Sequence, residues 1–352
     1  MNTRLLLRSI AASLIVASGL VLVPLSSAQA DDVTWTVRTA SNDLGDDRTS
    51  YTYTLDPGVT INDALVITNR GGEPLELGVY AADGFTTESG QFDLVVGGEE
   101  STNVGAWVQS DSDSVTVPVG ETVTVPFTVT IPANATPGDY GGGILTSLTQ
   151  ADDAQGINVD RRLGIRIALR VGGDLKPGLA IENPRLDWSG GLNPFAGGDA
   201  TLNYTVHNTG NAVLSAQQIA EVAGPFGILR QAAGEIEPLP QLLPGESWDV
   251  SAHLTDVPAS VWLTGTITVT PTVVDAAGST TALQPITASA NSLALPWMLL
   301  LIILAIAGLV VVALRLRRRQ NTAQRAREDA RVQAAVDAAL AEKSPASLAH
   351  SK

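Results

Sequence analysis

The sequence predicts an all-β exterior of two tandem Ig-like β-sandwiches, followed by one transmembrane helix and a short helical cytoplasmic tail. Three observations carry this. Short alternating apolar–polar runs, separated by Gly, Pro, Asn and Asp every 8–15 residues or so, fill residues 31–290, with almost no helical periodicity. A weak internal repeat suggests two copies of one plan. A single run of twenty uncharged residues follows them.

Taken in order, residues 1–30 have the parts of a secretory signal peptide. Arg4 and Arg8 precede an apolar stretch, and Ala28-Gln29-Ala30 closes it with a small-x-small site before Asp31-Asp32. Cleavage is expected after Ala30.

Residues 31–172 form the expected first sandwich and 173–290 the second, with the boundary near Gly172-Gly173-Asp174. Strands are expected at Thr34–Val37, Tyr51–Leu55, Ala64–Thr68, Leu75–Ala81, Thr122–Ile131, Gly143–Leu148 and Leu163–Val171. In the second half they are expected at Ala200–His207, Val213–Val222, Ser247–Leu254, Leu263–Val274 and Thr280–Thr287. Thr and Val abound, as pleated, half-buried surfaces favour. The repeat pairs Asp63–Ala81 with Ala200–Ala220. Each copy has an alternating strand, an Asn (Asn69, Asn208), a Gly-containing turn and a second strand. Later, Pro118-Val-Gly-Glu121 and Pro244-Gly-Glu246 each precede a strand. Asn and Gly supply the φ > 0 positions that such turns need.

Leu295–Leu314 is long enough to span the ~30 Å hydrocarbon layer. Pro296 fits a first helical turn and Trp297 an interfacial belt. Arg315, Arg317, Arg318 and Arg319 follow at once, and basic flanks stay cytoplasmic. Residues 31–294 are therefore expected outside and the basic tail, 315–352, inside. Val332, Val336 and Leu340 give that tail a thin apolar stripe at helical spacing.

Charge and composition exclude several classes. Residues 31–294 hold ten basic and 32 acidic residues, a balance of −22. Such a surface is a poor ligand for nucleic acid, which is bound mainly by neutralising phosphates. With no Cys in the chain, disulfide scaffolds, thiolate metal sites and thiol nucleophiles are excluded. The three His are far apart in sequence, no carboxylate pair stands out among the 32 acids, and no cofactor or catalytic motif is present. A non-catalytic binding protein is the leading reading, with a structural stalk and a wall-modifying enzyme subunit as alternatives.

Five residues are candidate ligand contacts. Period-two alternation puts Arg162, Arg166 and Arg170 on one face of a strand, with Leu163, Ile165, Ile167, Leu169 and Val171 on the other. In so acidic a region a basic stripe suits an anionic wall polymer or the carboxylates of peptide stems. The plainer reading is pairing with the chain's own carboxylates. Tyr140 lies in Asp139-Tyr140-Gly141-Gly142-Gly143, the densest glycine cluster, where a glycan could lie on bare backbone; a sandwich corner is the favoured alternative. Trp107 could stack on a sugar, with burial favoured. Trp248 and Trp262 are expected in the core.

A resemblance completes the sequence reading. Tyr53-Thr-Leu-Asp-Pro-Gly58, a strand ending Ile-Thr-Asn69, Val125-Pro-Phe with Ile131-Pro132, and Gly138-Asp-Tyr-Gly-Gly-Gly-Ile144 follow one another. Their order resembles the N-terminal domain of the WxL-interacting proteins, surface proteins of Gram-positive bacteria. Where that family begins with an aromatic- and proline-rich segment, this chain has DDVTWTVRTASNDLGDD. The resemblance implies a first domain that binds peptidoglycan and a second that binds a WxL-type surface protein.

Overall fold

The computed structural model describes residues 34–152, 157–191, 193, 196–274 and 280–343. The expected signal peptide, residues 1–30, lies outside the described residues. The fold is β-sandwich-like, with one long helix at its C-terminal end.

The first half contains β1 (Trp35–Thr39), β2 (Tyr51–Leu55), β3 (Thr60–Asn69), β4 (Leu75–Thr86) and β5 (Phe92–Leu94). A one-turn helix α1 (Val104–Trp107) follows, then β6 (Val108–Ser110), β7 (Ser114–Val117), β8 (Thr122–Thr130), β9 (Gly138–Asp152) and β10 (Ile157–Val171). One sheet has the order β1-β3-β8-β6. The other has β2-β10-β9-β4-β5, with β7 also on β4. This is the strand order of an immunoglobulin-type sandwich, the chain crossing between sheets after β1 so that β2 runs parallel to β10.

The second half contains β11 (Leu179–Ser189), β12 (Gly198–Asn208), β13 (Leu214–Ala223), β14 (Gln231–Ala232), β15 (Leu239–Leu242), β16 (Ser247–Val257), β17 (Val261–Val274), β18 (Thr280–Ala282) and β19 (Ile286–Ala294). Its sheets are β11-β12-β16 and β14-β13-β17-β18, with β15 on β13 and β19 on β17. Strand for strand, β11, β12 and β16 repeat β1, β3 and β8. Likewise β13, β15, β17 and β19 repeat β4, β7, β9 and β10. Even the small strands β7 and β15 recur, each just before a Gly-Glu turn.

Alternation explains the packing. Ile165, Ile167, Leu169 and Val171 of β10 point into a core with Trp35, Leu65, Leu77 and Phe127. Leu202, Val206, Leu214, Ile267 and Val269 build a second, separate core. The crossover between β1 and β2 is tied down by a buried ion pair. Arg48 donates to both Asp63 oxygens at 2.7 and 3.0 Å. Tyr53 Oη (2.7 Å), Asn42 Nδ2 (2.8 Å) and the Ala64 N–H (2.7 Å) donate to the same carboxylate. Burial alone would push the Asp63 pKa up. These donors outweigh burial and hold it below the usual carboxylate range. The Tyr53 hydroxyl, buried and donating to Asp63, is pushed well above an ordinary phenol.

Strand β11 is not among the strands picked out from the sequence; Asn183 (φ 51°) and Pro184 interrupt its alternation with a bulge between Glu182 and Arg185. Three expectations are corrected. The expected strand at Thr280–Thr287 is two strands, β18 and the first residues of a longer β19. The helix α1 interrupts the expected all-strand first half. Trp262 is 46% exposed rather than in the core, while Trp248 is half-buried against the second core.

Two residues separate the end of β19 from the last helix, α2 (Trp297–Lys343). It is the one helix among the described residues long and apolar enough to cross a membrane. It continues without a break through Arg315–Arg319.

Candidate functional site

Strand β10 carries the three candidate arginines on one face, ~13 Å apart. On its partner β9, Arg162 faces Ser147, Arg166 faces Gly143 and Arg170 faces Asp139. The three glycines make room for the protein's own side chains. A Cβ at Gly141 would meet Leu243 Cδ2 at 2.8 Å, at Gly142 Val104 Cβ at 2.5 Å, and at Gly143 Leu94 Cδ1 at 2.6 Å. The glycine cluster is thus covered from both faces, not bare.

The arginines have different surroundings. Arg170 forms a bidentate pair with Asp139, Nε to Oδ1 at 2.6 Å and a terminal nitrogen to Oδ2 at 2.9 Å. Asp139 Oδ2 also accepts the Val213 N–H at 2.9 Å, and the Asp139 N–H donates to the Asn211 carbonyl at 2.8 Å. Arg170 therefore braces the junction between the two halves. Arg162 lies 4.0 Å from Asp160, a partly exposed contact of little energetic value. Arg166 lies with its guanidinium carbon 4.3 Å from the centre of the Phe92 ring. Its buried Nε has no hydrogen-bond partner, and burial pulls its pKa down from the ordinary guanidinium value. No carboxylate pairs with it among the described residues.

Two concavities meet at Arg166. One, of about 430 Å³, is lined by Thr52, Thr54, Asp139, Arg166, Arg170 and, from the second half, Leu243. The other, of about 470 Å³, is lined by Phe92, Leu94, Asp160, Arg162 and Arg166. Together they form a shallow groove along the arginine face of β10, with a desolvated, ring-backed cation at its middle. Such a cation favours a flat anionic group, because the arginine fork matches carboxylate and phosphate geometry.

Tyr140 also lines the first concavity, but its ring and Trp107 pack away from the arginines. Tyr140 shares the inner face of the sheet with buried Leu169, which it faces in register. Its hydroxyl donates to the Thr136 carbonyl at 2.9 Å and bonds the Thr136 hydroxyl at 2.6 Å. A tyrosine near the start of this strand, tied to backbone a few residues upstream, is the tyrosine corner of Ig-type sandwiches. Trp107 packs edge-on against it, ring centroids 4.7 Å apart. The five candidates are therefore two groups on opposite faces of one sheet.

Sequence reasoning missed the other half of the junction. Glu246 accepts the Thr86 N–H (2.8 Å), the Thr86 hydroxyl (2.7 Å) and the Leu243 N–H (2.8 Å). Asn211 Nδ2 donates to the carbonyls of Pro137 and Asp174, and its Oδ1 accepts the Lys176 N–H at 2.6 Å. The repeated Gly-Glu turn was the available signal, but nothing in one dimension marks which copy faces the other half. Among the described residues, no group of three or more His, Asp or Glu is placed to hold a metal.

No known protein-family model matches the chain, and no curated protein matches it significantly. Solved structures do. The chaperone–tip adhesin complex of CFA/I fimbriae aligns with TM-score 0.37 and 11% identity, over 73% of this chain and 98% of that one. The class 5 fimbriae chaperone CfaA aligns with TM-score 0.34 and 10% identity, over 72% and 99%. The E. coli chaperone DraB aligns with TM-score 0.31 and 11% identity, over 72% and 98%. These likenesses are too distant to carry an argument, so the fold description stands on the strand order itself.

Proposed function

We propose that the chain is a non-catalytic, membrane-anchored cell-surface binding protein: two Ig-like domains outside, one span, and a basic tail inside. Its first domain engages peptidoglycan or an anionic wall polymer, and its second engages a surface protein such as a WxL-type partner. One observation carries the wall-binding reading. Arg166 sits in the groove on the arginine face of β10, backed by Phe92 and, among the described residues, without a carboxylate of its own. In a region of net charge −22, a cation held in this way suits an anionic ligand more than internal pairing.

The test is retention of the full-length chain, in detergent micelles, on purified cell-wall sacculi. Arg166→Gln should weaken binding about tenfold, the worth of one charge-assisted hydrogen-bonded contact. Undiminished retention would sink the proposed role of the groove. A second reading, a spacer with no wall ligand, is favoured by the braced junction around Asp139 and Glu246. Failure of the wild-type chain to bind sacculi at all would select it.

A further inference from the structure

The far end of the second half, opposite the junction, is unlike the rest of the surface. Three chain segments meet there. Strand β13 ends at Ala223 opposite Thr264, and β17 begins with Val261 opposite Ala294 and Trp262 opposite Leu293. Between β13 and β14 the loop folds back on itself, the Gly224 N–H donating to the Ile228 carbonyl at 2.8 Å and the Gly227 N–H to the Gly224 carbonyl at 3.1 Å. Its turn holds Phe226 at φ 59° and ψ 19°, and the ring is 98% exposed.

Five further large apolar residues are exposed at this end: Ile228, Leu229, Val261, Trp262 and Leu293. The contributing stretches, 222–229, 257–274 and 286–314, contain no charged residue. That is conspicuous in an exterior with 32 acids. The loop's one cation, Arg230, turns back to Glu221 at 3.3 Å. Three of the six tryptophans gather here. Trp188 and Trp297 line one cleft with Leu293, and Trp262 lies beside Leu293 on the neighbouring strand. Helix α2 leaves from this same end, with two residues between it and β19.

We propose that this end is a membrane-docking tip: Phe226, Ile228, Leu229, Val261, Trp262 and Leu293 enter the interfacial layer of the bilayer that α2 crosses. The occupant follows from chain continuity, since two residues between Ala294 and Trp297 cannot hold the tip away from the lipid surface. Exposed Trp and aliphatic side chains on uncharged stretches, with charge only at their edges (Asp256, and Arg230 paired with Glu221), are the composition that seats in that layer. The inference rests on reading α2 as a membrane span.

The chain has no cysteine, so single probes can be placed cleanly. Full-length Phe226→Cys, Ile228→Cys, Ser251→Cys and Leu304→Cys variants would each carry an environment-sensitive fluorophore in phosphatidylcholine vesicles brominated near the top of the acyl chains or deep within them. Position 304 reports the span. Positions 226 and 228 should be quenched by shallow bromines at least about threefold more than position 251, on the middle of β16, as expected for side chains seated ~5–10 Å into the interface. Quenching at 304 but not at 226 or 228 would overturn the tip and leave the span standing. A blue-shifted but unquenched probe at 226 would also overturn it, pointing to a protein contact instead. No deep quenching at 304 would overturn the span and the tip together.

Discussion

Asn69 and Asn208 do the same structural work in the two halves. Asn69 Nδ2 donates to the Glu73 and Val117 carbonyls at 2.8 and 2.9 Å, and its Oδ1 accepts the Gly71 N–H at 2.8 Å. Asn208 Nδ2 donates to the Ala212 and Leu242 carbonyls at 2.9 and 3.0 Å, and its Oδ1 accepts the Gly210 N–H at 3.1 Å. Both are fully buried. Each backbone N–H donates to the glutamate carbonyl of the local Gly-Glu turn, Glu121 or Glu246. One amide thus fastens a turn, a neighbouring strand and a second turn.

Replacing either asparagine with alanine should therefore cost more than a surface change. Two carbonyls and one N–H lose their partner, at about 2–3 kcal/mol in total if water fills part of the gap. Urea unfolding should show this loss for Asn69→Ala and a similar one for Asn208→Ala. A loss below half a unit of that scale in both would remove the amides from the list of fold determinants.

The Arg48–Asp63 pair makes stability depend on acid. The Asp63 pKa is lowered in the folded state. Its contribution is therefore complete above the unfolded value, ~3.9, and disappears as pH falls through the lower folded value. Asp63→Asn leaves the Arg48 charge in a largely buried place and should cost about 3 kcal/mol near neutral pH. Below about pH 4 the variant should lose less further stability than the wild type. Parallel acid-unfolding curves for the two proteins would contradict this.

Glycine at 142 is demanded by space. An added methyl would meet Val104 Cβ at 2.5 Å and the Ala82 carbonyl oxygen at 2.8 Å. Neither is the end of a flexible chain, so Gly142→Ala should destabilise by about 1–3 kcal/mol, read as a fall in thermal midpoint. At Gly72, where a Cβ meets nothing, alanine should be nearly neutral.

The junction is predicted to be stiff. Glu246→Ala removes the acceptor of two backbone N–H groups and the Thr86 hydroxyl. Small-angle scattering of the full-length chain in detergent should show a broader distribution of distances. Thermal unfolding should change from one coupled transition toward two. An unchanged distribution would assign the stiffness of the junction to the Asp139–Arg170 brace and Asn211 instead.

Much of this was legible in one dimension, because apolar alternation, turn residues and a long uncharged run act locally. The alternation of β10 and the pairing of Asn69 with Asn208 are examples. What escaped depends on distant neighbours. Leu243 and Phe92 explain Gly141, and Thr86 explains Glu246, yet each lies far along the chain. A two-residue bulge hid β11, since Asn183 and Pro184 invert the alternation that defines a strand. Trp262 was misplaced for a different reason. A tryptophan in a strand usually faces a core, and nothing in the local alternation marks Trp262 as the outward-facing one. The arginine stripe was visible, but Asp139 and Phe92, which set Arg170 and Arg166 apart, were not.

The absence of slack between β19 and α2 has a mechanical consequence. A helix of 47 residues is a rod of about 70 Å, of which ~30 Å suffices for a bilayer. Two residues, Leu295 and Pro296, join rod and sheet, and the proline ring fixes one of their four backbone dihedrals. A turn of the last strand about its own axis would thus reach the helix with two residues of chain in which to be absorbed, where a longer linker would dissipate it.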